Sequence, residues 1–78
     1  MLSSNRTSTL DARLGQRIRA FRLRRGDSVL SVAMRLGISP TTYKQIEDGA
    51  THIKASQLLI LSQALGVNLA DFYDGLLD

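Results

Sequence analysis

The sequence predicts an all-α fold of five short helices. Apolar residues recur at intervals of three and four, which is the spacing of one helix face. Serine, asparagine and proline occur where helices should begin, and glycine occurs where they should end. No window alternates with the period of two that a half-buried strand requires. The helices are expected at about residues 10–25, 28–36, 40–48, 55–65 and 69–77.

The first helix is predicted from its apolar stripe. Four residues fall within one arc of roughly 80° at about 100° per residue: Leu10, Leu14, Ile18 and Phe21. Thr9 is a plausible N-cap, and Gly26 can end the helix. Because residues 3–9 lack a large apolar side chain, we expect residues 1–9 to form a flexible N-terminal arm. Residues 10–78 would then form one helical domain.

Helices 2 and 3 are predicted to meet at a steep angle. Ser28 can cap helix 2, and Gly37 can end it. The pair Ser39-Pro40 is typical of an N-cap followed by proline at the first helical position, where no amide hydrogen is needed. Only Gly37-Ile38-Ser39 separate the two helices, and so short a turn produces helix-turn-helix geometry.

The two C-terminal helices are predicted from an apolar stripe and a cap. Leu58, Leu61 and Leu65 share one face of helix 4. Asn68, with Asp71 three residues later, is similar to a capping box and would begin helix 5.

Composition argues against several function classes. The chain has 78 residues, no cysteine and one histidine, so neither a thiolate zinc site nor a nucleophile–base set can be assembled, and we expect no enzyme, no metal and no cofactor. The longest purely aliphatic run has four residues, whereas a membrane span needs about 20, so no membrane partner is expected.

Charge is divided unevenly between the two halves of the sequence. Residues 1–39 contain eight arginines and two aspartates, whereas residues 40–78 contain two lysines and five acidic residues.

Several short segments carry a resemblance to a known family. They are Leu14-Gly15, Val32-Ala33, Leu36-Gly37-Ile38-Ser39, Ile46-Glu47-Asp48-Gly49 and Ala64-Leu65-Gly66-Val67. Over about residues 10–77, the sequence resembles the helix-turn-helix DNA-binding domains of the phage Cro and repressor type, the XRE family. The resemblance implies a small cytoplasmic, nucleoid-associated regulator of prokaryotic or phage origin, a repressor that binds double-stranded DNA as a homodimer.

Helix 3 would be the recognition helix. With Tyr43 and Ile46 turned inward, the candidate base contacts are Pro40, Thr41, Lys44 and Gln45. Gln45 can pair with adenine N6/N7, and Lys44 can reach guanine O6/N7. The resemblance further implies phosphate contacts from Ser28, Val29, Thr42, Thr51, His52 and Lys54. A lone loop histidine is more often an exposed side chain without a role, and this alternative stays open for His52.

The resemblance also implies a structural ion pair between Arg22 and Glu47, which would orient helix 3. The apolar residues beyond the core stripes suggest a dimer interface formed by Leu59, Ile60, Tyr73 and Leu77. A second stripe, Arg13, Arg17 and Arg24 on helix 1, would either extend the basic surface or keep the domain soluble.

Three departures from the family pattern leave an alternative open. Asp27 replaces a leucine that usually precedes helix 2, Val29 replaces a glutamine that usually contacts the DNA backbone, and Pro40 replaces a side chain that often reads a base. The alternative is a protein-binding module of the same fold, such as an antitoxin or an adaptor.

Overall fold

A computed structural model describes residues 5–76 of the chain, with side chains from Thr9 onward. Four α-helices and a short 3₁₀ helix follow one another: α1 (Asn5–Arg25), α2 (Val29–Leu36), α3 (Pro40–Glu47), α4 (Ala55–Leu65) and the 3₁₀ helix (Leu69–Phe72). Residues 5–76 contain no strand. The all-α prediction is therefore confirmed, and no helix within this range has the length and apolarity that crossing a membrane would require.

The two chain ends differ from the sequence-based expectation. Helix α1 begins at Asn5 rather than Leu10, so Thr9 lies within the helix and is not its N-cap. No glycine or proline occurs between residues 5 and 9, and extending an existing helix fixes only one more residue for each hydrogen bond gained. Residues 1–4 of the expected arm lie outside the described residues.

Helix 5 was expected over residues 69–77, but the structure has a 3₁₀ helix that ends at Phe72. The amides of Tyr73 and Leu76 each donate to the carbonyl three residues earlier, which is the 3₁₀ pattern. Gly75 adopts a φ of +77°, a left-handed conformation that an α-helix cannot continue through.

The helix-turn-helix geometry rests on two serine caps and one glycine. Ser28 Oγ accepts from the Ser31 amide at 3.0 Å, and Ser39 Oγ accepts from the Thr42 amide at 3.0 Å. Gly37 ends α2 with a φ of +72°, where a residue without a Cβ is favoured. The predicted turn between α2 and α3 is therefore present.

The core is formed by the inner faces of all four α-helices and of the 3₁₀ helix. Its members share near-complete burial: Leu14, Ile18, Val32, Ala33, Leu36, Tyr43, Ile46, Leu58, Leu61, Leu65, Phe72 and Leu76. Phe21 and Phe72 add an edge-to-face contact with ring centroids 5.7 Å apart. Helix α1 approaches the end of α3 so closely that a Cβ on Gly15 would overlap the carbonyl oxygens of Ile46 and Glu47. This approach fixes the position of α3 along α1.

Candidate nucleic-acid interface

The outward face of α3 is formed by the residues that flank its two buried anchors. Tyr43 and Ile46 point into the core, and Glu47 is buried beside them. The four candidate base contacts are all exposed: Pro40, Thr41, Lys44 and Gln45. Lys44 Nζ lies 3.8 Å from Asp48 Oδ1 in an exposed pair, which binds weakly enough for the ammonium group to exchange partners.

The candidate phosphate contacts come from the start of α2, from α3 and from the loop that follows α3. Ser28, Thr42, Thr51, His52 and Lys54 are exposed, and Val29 is half-buried. The Thr42 hydroxyl accepts from Ser39 Oγ at 2.9 Å, so its own hydrogen remains for another acceptor. At the start of α2, the first-turn amides of Val29 and Leu30 have no intrahelical acceptor and lie at the positive end of the helix dipole.

A buried ionic cluster holds the end of α3 against α1. Arg22 Nε donates to Glu47 Oε2 at 2.6 Å, and a terminal nitrogen of Arg22 donates to Oε1 at 3.0 Å. The other terminal nitrogen donates to the Asp27 carbonyl at 3.0 Å, and the Tyr43 hydroxyl donates to Glu47 Oε2. The exposed fractions of the Arg22 and Glu47 side chains are only 8% and 0%. One arginine therefore ties together α1, α3 and the α1–α2 turn.

The cluster changes the pKa values of its members in the directions expected for a charged pair. Burial alone would raise the pKa of the Glu47 carboxyl, but the hydrogen bonds from Arg22 and Tyr43 outweigh burial and lower it. The hydrogen bond to Glu47 raises the pKa of the Arg22 guanidinium. Burial, and then the hydrogen bond to Glu47, raise the pKa of the Tyr43 phenol. Arg22 and Glu47 are both charged at neutral pH.

The loop between α3 and α4 carries three of the candidate phosphate contacts. His52 Nδ1 lies 2.9 Å from Oδ2 and 3.2 Å from Oδ1 of Asp11 on α1. Ile53 packs against the core, and the Lys54 amide donates to Gln57 Oε1 at 3.0 Å at the start of α4. The second half of the loop is thus attached to α1, to the core and to the start of α4.

A family model described as a helix-turn-helix domain matches residues 13–72. The chain belongs to this helix-turn-helix domain family. The match includes α2, the turn and α3, together with the Arg22–Glu47 pair. No curated protein matches the chain.

Solved structures agree with this assignment. Two crystal structures of the clp gene regulator ClgR from Corynebacterium glutamicum are 26% identical to this chain. One has a TM-score of 0.80, with 87% of this chain and 88% of ClgR covered. The other has a TM-score of 0.83, with 87% and 72% covered. The restriction-modification controller protein C.AhdI from Aeromonas hydrophila shares the fold at 24% identity and a TM-score of 0.74, with 78% and 92% covered. The resemblance to Cro/repressor-type regulators is confirmed, and DNA-binding transcription regulation is the general class of function that these comparisons support.

The arginine stripe of this helix-turn-helix domain has a role that its sequence did not reveal. Arg13 donates to the Leu76 carbonyl at 2.8 Å, and Arg17 donates to the Asp71 carbonyl at 2.9 Å. The Arg24 guanidinium lies over the Phe21 ring, 5.3 Å from its centroid. Two members of the stripe therefore attach the C-terminal segment to α1.

Several large apolar side chains remain exposed: Leu10 and Leu23 lie on α1, and the others lie on α2, on α4 and in the C-terminal segment. Leu59, Ile60 and Tyr73 of the expected dimer interface are exposed, and Leu69 is exposed as well. Leu77 lies outside the described residues. On α2, Leu30 and Met34 are more than half exposed and line an open depression with Ser28, Ser31 and Arg35. Residues 5–76 bring together no group of three or more acidic or histidine side chains that could hold a metal ion.

Proposed function

We propose that this chain is a sequence-specific DNA-binding transcription regulator that acts as a repressor and as a homodimer. The observation that carries the proposal is the exposed α3 face beside a buried ion pair that fixes its orientation. A rigid helix with short polar and basic side chains on its outer face fits the major groove.

Base recognition is assigned to Thr41, Lys44 and Gln45. The Gln45 amide can both donate to and accept from adenine, and the Lys44 ammonium can donate to guanine. Thr41 offers a hydroxyl group and a methyl group. Pro40 would contribute only apolar contact, for example with a thymine methyl group.

Phosphate contacts are assigned to residues on both sides of α3. Thr42 supplies the hydroxyl hydrogen that its bond with Ser39 leaves available. Ser28 and Val29 lie where the first-turn amides of α2 can donate to phosphate oxygens. Thr51, His52 and Lys54 would contact the backbone on the other side of the groove.

Dimer formation is supported by the exposed apolar side chains of the C-terminal half. A two-fold interface would remove four exposed apolar side chains from contact with water: Leu59, Ile60, Leu69 and Tyr73. A two-fold dimer would place its two recognition helices about 34 Å apart, one turn of duplex, and would select a palindromic operator. Occupation of such an operator can block transcription.

The decisive experiment is selection of binding sites from a randomised duplex pool, followed by titration at several salt concentrations. A palindromic consensus and a steep negative salt slope are expected, because each neutralised phosphate contributes about 0.9 to the slope. The double variant Lys44→Ala and Gln45→Ala should lose preference among sequences. Gln16→Ala removes an exposed glutamine from α1 and should leave that preference intact.

A second candidate is a protein-binding module of the same fold. Val29 in place of the family's usual glutamine favours it, as do the exposed Leu30 and Met34 on α2. DNA binding that is undetectable, or that does not depend on salt, would favour this second function over the first.

A further inference from the structure

The α3–α4 loop holds an imidazole that is accessible to solvent yet fixed to another helix. The exposed fraction of the His52 side chain is 72%, whereas that of its partner Asp11 is 13%. One edge of the ring faces the carboxylate through Nδ1, and the exposure of the ring leaves the opposite edge, with Nε2, open to solvent. His52 is the one histidine of the chain, so its ionisation can be followed without overlap.

The contact between His52 and Asp11 is supported by the backbone around it. Gly49 begins the loop in a left-handed conformation, and a Cβ at this position would be 2.5 Å from the Cα of Ala12, the neighbour of Asp11. Ile53, the residue after His52, packs against the core. The imidazole is therefore presented from a backbone that is attached to α1 and to the core.

The chemistry of the pair determines what Nε2 can do. An ionised carboxylate only accepts hydrogen bonds, so Nδ1 must carry a hydrogen in this contact. In neutral imidazole, Nε2 then has a lone pair and no hydrogen, so it can only accept a hydrogen bond. A phosphate oxygen, which is also an acceptor, would be repelled by it. In imidazolium, Nε2 carries a second N–H group that can donate to phosphate.

We propose that Asp11 is a positioning residue that makes His52 a proton-dependent phosphate contact. The proposal rests on the proposed DNA-binding function and adds a pH dependence to it. Phosphate favours the protonated imidazole, so the complex binds a proton more tightly than the free protein does, and DNA affinity rises as the pH falls.

Other charged groups near this loop also influence the electrostatic environment of His52. Helix α3 and the residue that follows it contribute Lys44 and Asp48, which pair with each other at 3.8 Å. Lys54, which immediately precedes α4, adds a second basic side chain. Asp11 is the α1 carboxylate in contact with the ring.

The test uses the untagged full chain and a mixed-sequence duplex of about 30 base pairs, about three helical turns. Binding is measured at constant ionic strength between about pH 8 and about pH 5.5, the range in which histidine titrates. We expect wild-type affinity to rise by about fivefold over this range, the equivalent of one exposed charge contact. His52→Asn should abolish the rise, and His52→Lys should bind tightly at every pH.

Asp11→Ala and Asp74→Ala form a matched pair, because each removes one negative charge. Asp74 is exposed in the C-terminal segment, so its removal should leave the pH dependence intact. Asp11→Ala should flatten the pH dependence, and Asp11→Glu should restore part of it. Thermal unfolding of each variant identifies any that has failed to fold.

Imidazole ¹⁵N chemical shifts give a second readout that does not depend on DNA. Neutral His52 should carry its hydrogen on Nδ1 in the wild type and on Nε2 in Asp11→Ala. An Nε2–H tautomer in the wild type would overturn the proposal, as would equal pH profiles for Asp11→Ala and Asp74→Ala. Binding that does not vary with pH would overturn the role of His52 alone, whereas no binding at any pH would overturn the DNA-binding function as well.

Discussion

Glu47→Gln is the substitution that most directly tests how α3 is held. Glutamine keeps the shape and one acceptor oxygen, but it removes the charge that compensates Arg22 and brings an NH₂ group towards a guanidinium. The Arg22 side chain is 8% exposed and Glu47 is fully buried, so solvent cannot replace the lost partner. Removing one member of a buried pair costs about 3–5 kcal/mol, a large share of the roughly 5–15 kcal/mol that stabilise a domain.

Urea and thermal unfolding of Glu47→Gln measure this cost. We expect a loss of about 3 kcal/mol, the lower end of the range because one acceptor remains. For a domain of this size, each kcal/mol lowers Tm by about 4–8 °C. DNA affinity should fall as well, because Ile46 and Glu47 anchor the end of the recognition helix. If Glu47→Gln altered neither stability nor DNA affinity, the pair would not position α3.

The matched control is the double variant Arg22→Met with Glu47→Gln, which removes both charges. The double variant leaves no uncompensated charge in the core, and such a charge is the main cost of removing one member of a buried pair. The double variant should therefore recover much of the stability that Glu47→Gln alone loses. If the double variant regained stability but not DNA affinity, the role of the Arg22–Glu47 pair would be to orient α3 rather than to stabilise the fold.

Acid should reveal the same pair. The folded-state pKa of Glu47 lies below its ordinary value of 4.5, so the stabilisation is fully present above about pH 4.5. It is lost as the pH falls through the lower, folded-state pKa, because Glu47 must then take up a proton. Wild-type stability should consequently fall more steeply with acid than that of Glu47→Gln. Parallel acid profiles would contradict the assignment.

Three further substitutions examine the packing, the caps and the dimer. Gly15→Ala should destabilise the domain by more than about 1 kcal/mol, because the added Cβ would overlap backbone carbonyl oxygens. Gly75→Ala meets no neighbouring atom and should cost only about 1 kcal/mol, because alanine disfavours the positive φ at that position. Equal losses of stability in urea unfolding would refute the close approach of α1 and α3. Ser39→Ala should cost about 1 kcal/mol through loss of the α3 cap, and unchanged unfolding would show that the cap contributes nothing. Leu59→Glu should produce a monomer in sedimentation velocity if α4 forms the dimer interface, and a persisting dimer would place the interface elsewhere.

Local signals made most of the fold predictable. Ser28, Gly37, Ser39 and Pro40 mark the turn because caps and left-handed glycines depend on neighbouring residues alone. The predicted N-terminal boundary of α1 was wrong because the residues just before Leu10 are polar, so they show no apolar periodicity that would indicate a helix. The last helix was wrong because the choice between α and 3₁₀ geometry in so short a segment depends on its tertiary contacts.

Only those residues of the candidate site that match the family pattern could be predicted from the sequence. The exposure of Lys44 and Gln45 follows from the burial of Tyr43 and Ile46 on the same helix. The contacts of Arg13 and Arg17 join residues 63 and 54 positions apart, and no local pattern encodes such distances. The pairing of Asp11 with His52 spans 41 positions and is likewise visible only once the chain has folded.

Helix α3 is held at three positions along its length, and this arrangement separates recognition from stability. Its start is capped by Ser39, its middle is anchored by Tyr43, and its end is fixed by the contact with Gly15 and by the ion pair of Glu47. None of these groups belongs to the exposed face that carries Thr41, Lys44 and Gln45. Substitutions on that face can consequently change which base pairs are favoured at little cost in folding, because exposed positions away from caps and core usually shift stability by about 0.5 kcal/mol or less.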